Sequence, residues 1–159
     1  MRLIVVGAML LAYLVDAVSQ SPNNLCTYES CKAGTRATTY FRKDDSYFAC
    51  PTREMASYVT MVIGLVSAQA ALGIRPNISV TTGEPEYQGE SKALLDSLRA
   101  KAKVRTFDQA MKACEIGTNN RKVTIVNVPS ESLQIVALVR DDGRNASFWM
   151  PIFHLVKAK

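Results

Sequence analysis

The longest stretch without a charge runs from Met55 to Ile74, twenty residues between Glu54 and Arg75. Read as a helix, it places Tyr58, Val59, Val62, Ile63 and Val66 on one side at spacings of three and four. Ser57, Thr60, Gly64, Ala68 and Ala71 fall on the other, so both faces can be buried. Thr52 after Pro51 supplies an N-cap, and Gly73 followed by Pro76 supplies a stop. The same segment also has the length of about 20 residues that a bilayer span requires. Against that reading, Ser57, Thr60, Ser67 and Gln69 interrupt it and Gly64 and Gly73 dilute it. A central buried helix and a membrane span at 55–74 are therefore both carried forward.

Two shorter amphipathic helices follow. Ser91 to Ala102 puts Leu94, Leu95, Leu98 and Ala102 on one face. Thr106-x-x-Gln109 forms a capping box ahead of Phe107, Ala110, Met111 and Cys114 at i, i+3, i+4 and i+7, with Gly117 as the stop. Before the central helix, Ala37 to Arg42 and Tyr47-Phe48 flank the turn-forming Lys43-Asp44-Asp45-Ser46 and read as a short hairpin or extended pair. Asn77 to Val80 has the composition of a short strand. Three further strands close the chain: Val123–Val128, Leu133–Arg140 and Ala146–Val156, with turns at Pro129–Ser132 and Asp141–Arg144. These form an antiparallel meander whose middle strand is apolar on both sides. Pro151 puts the third strand at an edge or a bulge.

The amino terminus changes the picture. Met1-Arg2, the thirteen-residue apolar run Leu3–Val15 and the small residues of Ala17-Val18-Ser19 have the form of a secretory signal peptide. Residues 1–19 would then be removed, leaving 20–159 as one exported α+β domain, periplasmic or extracellular. An uncleaved anchor is the competing reading, although the run is short for a span. The four cysteines, 26, 31, 50 and 114, all lie after the signal, and an even count in an exported chain points to two disulfides. The gaps of four, eighteen and sixty-three residues contain no Cys-x-x-Cys pair, which leaves a zinc site without its usual spacing. Of the three connectivities, Cys26–Cys31 as a local clasp and Cys50–Cys114 as a long-range bridge is the one expected.

The net charge is +5, and its distribution is uneven. Residues 92–122 hold eight basic side chains, Lys92, Arg99, Lys101, Lys103, Arg105, Lys112, Arg121 and Lys122, against Asp96, Asp108 and Glu115. The remainder of the exported part is balanced. A solvated helix pair would account for this. A surface for an acidic protein or an anionic envelope component is the functional reading. No RNA-binding, zinc-finger or recognition-helix pattern accompanies the charge.

Support for catalysis is thin. His154 is the only histidine, so a multi-histidine metal site is excluded, and no Gly-x-Ser-x-Gly elbow, phosphate loop or His-Glu-x-x-His occurs. Glu84, Glu86 and Glu90 could supply paired carboxylates, but loop acids are usually solvated. No metal or cofactor is expected. Tyr40, Phe41, Tyr47 and Phe48 could form a ligand surface or cover a disulfide, and Phe148 and Trp149 an interface or core. Asn77-Ile78-Ser79 and Asn145-Ala146-Ser147 match the N-glycosylation acceptor pattern. The leading expectation is a non-enzymatic exported binding protein, an adaptor, inhibitor or secretion accessory. The alternatives are a membrane-tethered subunit spanning at 55–74 and a small secreted toxin or hydrolase built on His154 and a loop carboxylate.

Overall fold

The computed structural model describes residues 24–27, 31–42, 45–130 and 135–158. The proposed signal peptide lies outside the described residues, as do parts of the turns at 43–44 and 131–134. The chain is α+β. A five-stranded antiparallel sheet has the order β6-β5-β4-β1-β7, with β1 Arg36–Thr39, β4 Lys122–Asn127, β5 Val136–Asp141, β6 Ser147–Pro151 and β7 Leu155–Lys157. A two-stranded ladder pairs β2 (Phe48–Ala49) with β3 (Glu115–Ile116). Three helices, α1 (Arg53–Ala71), α2 (Gly89–Lys101) and α3 (Phe107–Ala113), complete it.

Alternation along β5 explains why that strand is apolar on both sides. Val136 enters a cluster with Tyr58, Val59, Val62, Leu95 and Ala110 beneath the helices. Ala137 and Val139 enter a second cluster with Val123, Ile125, Met150 and Leu155. Cys26, Cys31 and Tyr47 belong to that second cluster, with Phe41 packed against it. Both expected bridges are present, Cys26–Cys31 and Cys50–Cys114. The second ties the chain just before α1 to the C-cap of α3.

Several expectations are corrected. The 37–48 segment is not a hairpin, because β1 pairs with β4 and β7 while β2 pairs with β3. β4, β5 and β6 run antiparallel in chain order, but they are three strands of five. The stretch expected as one third strand divides at Pro151, which leads into a 3-10 turn, Ile152–His154. The chain then re-enters the sheet at its opposite edge as β7. Asn77–Val80 contributes a single bridge, Ile78 to Pro85. Helix α3 stops at Ala113, four residues before Gly117, because Glu115 and Ile116 pair with β2.

Helix α1 begins as expected, with Thr52 Oγ1 accepting from the Met55 amide at 3.3 Å. Tyr58, Val59 and Val62 are buried, but Gly64, Ala68 and Ala71 are exposed, so the small-residue face is not a packing face. The helix ends at Ala71 and leaves Leu72, Gly73 and Ile74 outside it. Among the described residues no helix is long and apolar enough to cross a membrane.

Candidate functional site

The eight basic residues of 92–122 divide into two groups. Four have acidic partners. Lys92 pairs with Asp96 one helical turn on, and Lys112 with Asp108 at 2.7 Å. Arg99 bridges Glu84 and Asp96. Arg121 lies 3.4 Å from the buried Asp141 and its guanidinium is 5.4 Å from the Phe148 ring centroid. Lys101, Lys103, Arg105 and Lys122 are exposed and form no ion pair among the described residues.

Three of these four sit around one turn. Helix α2 ends in a Schellman arrangement, in which the Lys103 amide donates to Ala100 O at 3.0 Å and the Val104 amide to Arg99 O at 3.4 Å. This geometry requires a left-handed residue after the cap, and Lys103 fills it with φ 56°. Glycine is the usual occupant, because a side chain costs about 1–2 kcal/mol there. The chain turns directly into α3, whose Thr106 Oγ1 accepts from the Gln109 amide at 3.1 Å while Gln109 Oε1 accepts from the Arg105 amide at 2.9 Å. Lys101 and Lys103 border a groove of about 640 Å³ between α1 and α2, where Met61, Leu94, Leu98 and Ile135 supply the apolar lining.

Sequence reasoning missed the other ordered polar assembly. Glu84, expected as a solvated loop acid, is 5% exposed. Tyr58, on the buried face of α1, donates its hydroxyl to Glu84 Oε1 at 2.7 Å, and Arg99 Nη1 donates to Glu84 Oε2. Burial first, and then the Glu84 carboxylate, push the Tyr58 hydroxyl well above its ordinary pKa. Hydrogen bonds from Lys92 and Arg99 hold the Asp96 carboxyl below its ordinary range. Burial alone would lower the Arg99 pKa, but Asp96 and Glu84 outweigh it and the net shift is upward. Glu86 accepts from the Asn77 side-chain amide, and Glu90 is exposed at the start of α2. The three glutamates therefore form no carboxylate pair. Glu84 has its partners 26 residues before it and 15 after it, and no local pattern reports them.

His154 is buried, with Nδ1 2.9 Å from Tyr40 O and its ring beside those of Tyr47 and Phe153. Burial depresses its pKa below the ordinary histidine value, a shift that the Tyr40 carbonyl and Asp45 partly offset. Among the described residues no carboxylate or hydroxyl hydrogen-bonds to it, and no group of three or more His, Cys, Asp or Glu side chains could hold a metal ion. Trp149 and Cys50 exchange backbone hydrogen bonds at 2.8 Å in both directions, and Trp149 packs with the helices. No protein-family model, curated protein or solved structure matches the chain.

Proposed function

We propose that this chain is an exported, non-enzymatic binding protein, and that the turn carrying Lys101, Lys103 and Arg105 meets an acidic partner, a protein face or an anionic component of the cell envelope. The observation that carries this reading is Lys103. A lysine in the left-handed position after a helix is less stable than glycine would be, and a costly local choice beside two other unpaired cations has its rationale in what the side chain meets. The groove next to it combines an apolar lining with Arg53, Lys101 and Lys103 against the one carboxylate of Glu54, a net positive border that suits an amphipathic acidic segment. Arg99 and Arg121, which pair with the buried Glu84 and Asp141, are assigned to holding the fold, while Lys92 and Lys112 are engaged in exposed pairs one helical turn apart. The two disulfides fit an oxidising, exported environment, and cleavage by signal peptidase would start the mature chain near Gln20.

The test uses the processed protein on immobilised poly-L-glutamate and on vesicles containing phosphatidylglycerol, each across a salt series. Retention should fall with salt. Replacing Lys101, Lys103 and Arg105 together by Ser should weaken it and flatten the salt dependence. Equal retention of the variant and the parent at every salt concentration would remove this surface from consideration.

A further inference from the structure

A second cleft lies on the opposite face of α2 and shares no lining residue with the basic groove. It is bounded by the end of α1, the loop pair 77–86 and the face of α2 that carries Lys92, Leu95, Asp96 and Arg99, and its volume of about 650 Å³ is within the span of about 300–1,000 Å³ usual for small-molecule sites. We infer that this cleft binds a neutral, hydroxyl-rich ligand of the saccharide class.

Three features argue for that chemistry. First, the inner part of the charged wall is already paired. Asp96, Arg99, Glu84 and Tyr58 form a continuous chain of hydrogen bonds in which Arg99 and Glu84 are largely buried, and Lys92 joins it at Asp96 on the exposed side, so the inner polar groups present a fixed geometry. Second, both cations of the cleft are engaged by carboxylates and Glu86 adds a further negative charge, so an anionic ligand would find no free cation. Third, Gln69 lines the cleft and its Oε1 is buried with no hydrogen-bond partner among the described residues. A buried acceptor left unpaired is costly; the atom is closed to solvent as it stands, and rotation of the Gln69 amide into the cleft would pair it with a ligand hydroxyl. Tyr87, half-buried in the same wall, offers a ring to the apolar face of a sugar.

The experiment is a titration of the ¹⁵N-labelled full exported chain, followed by amide shifts, with glucose, galactose, mannose and N-acetylglucosamine in turn and with putrescine as a cationic control. At least one sugar should give saturable shifts at Asn77, Thr82, Tyr87 or Arg99. Gln69→Met should weaken that binding about tenfold, as expected for one buried hydrogen bond. Tyr87→Ala is the second variant, should Gln69→Met disturb the end of α1. No saturable cleft shift with any of the four sugars overturns the proposal, as do equal affinity in both variants and a cleft that answers to putrescine alone.

Discussion

The ring of Tyr47 lies directly over the α-carbon of Gly117, whose amide donates to the Tyr47 carbonyl at 2.8 Å. A methyl group at Gly117 would stand 2.3 Å from the ring Cζ, closer than any atom can approach. Tyr47 is 1% exposed and sits beside His154 and Phe41, so any retreat of its ring disturbs that buried aromatic cluster. Gly117→Ala should therefore destabilise the fold by about 3 kcal/mol, as overpacking of a filled core does. Gly64→Ala is the contrast. An added Cβ there meets nothing within 4 Å, and the helix should gain about 0.5–1 kcal/mol. Urea unfolding of both variants checks the pair, and opposite shifts of the midpoint at an unchanged slope are expected.

The two disulfides close loops of very different length, with sequence separations of 5 and 64. Loop-closure entropy predicts a loss of about 2 kcal/mol on removing the short one and about 4 kcal/mol on removing the long one. Cys26→Ala/Cys31→Ala and Cys50→Ala/Cys114→Ala double variants, compared by chemical denaturation, should rank in that order. The reverse order would mean that the Cys26–Cys31 clasp does more than constrain the unfolded chain, for example through its own packing in the second core.

Removing Arg99 should expose how much of the fold depends on Glu84. With Arg99→Met the carboxylate stays buried and keeps, among the described residues, only the Tyr58 hydroxyl to satisfy it, and the loss should be about 2–3 kcal/mol. Tyr58 adds a signature at the alkaline end. Its folded pKa is raised above the unfolded value of 10.0, so the native state holds the proton longer. Stability from this group is complete below pH 10 and declines as pH rises from there toward the folded pKa. Tyr58→Phe should abolish that component of the alkaline slope.

His154 acts at the acid end with the opposite sign. Its folded pKa is depressed below 6.5, so the unfolded chain takes up the proton first. Its contribution is fully present above pH 6.5 and is lost as pH falls through the folded pKa. The C2 proton of this single histidine, followed by NMR, should titrate below the ordinary range. Titration at or above 6.5 would contradict the burial described for its ring.

Much of this fold was legible in the sequence because its signals are local. The N-caps at Thr52 and Thr106, the apolar alternation of Ile135 to Arg140 and the turn at Asp141–Arg144 all lie within a few residues of what they determine. What could not be read is pairing over distance. β1 has strand composition, but nothing near Arg36–Thr39 states that its neighbours are Lys122–Thr124 and Leu155–Lys157. Pro151 announced a break, yet not that the chain would cross to the far edge of the sheet. The candidate site shows the same division. The charge excess of 92–122 is plain from composition and the pairs of Lys92 with Asp96 and Lys112 with Asp108 are local, whereas the pairing of Arg99 with Glu84 and of Arg121 with Asp141 depends on acids contributed from elsewhere in the fold.

Lys103 offers the sharpest test of function against stability. Glycine adopts φ 56° without the Cβ penalty, and after allowing for its greater freedom in the unfolded chain Lys103→Gly should stabilise the protein by about 0.5–1 kcal/mol. The same change removes a cation from the border of the groove, so retention on poly-L-glutamate should weaken and its salt dependence should fall. Lys103→Asn separates the two effects, since asparagine tolerates the left-handed conformation yet carries no charge. It should match glycine in binding while recovering less stability. A more stable protein that binds less well is the outcome expected if the lysine is kept for its partner. Higher stability with unchanged retention would leave the conformation of Lys103 a matter of local folding alone.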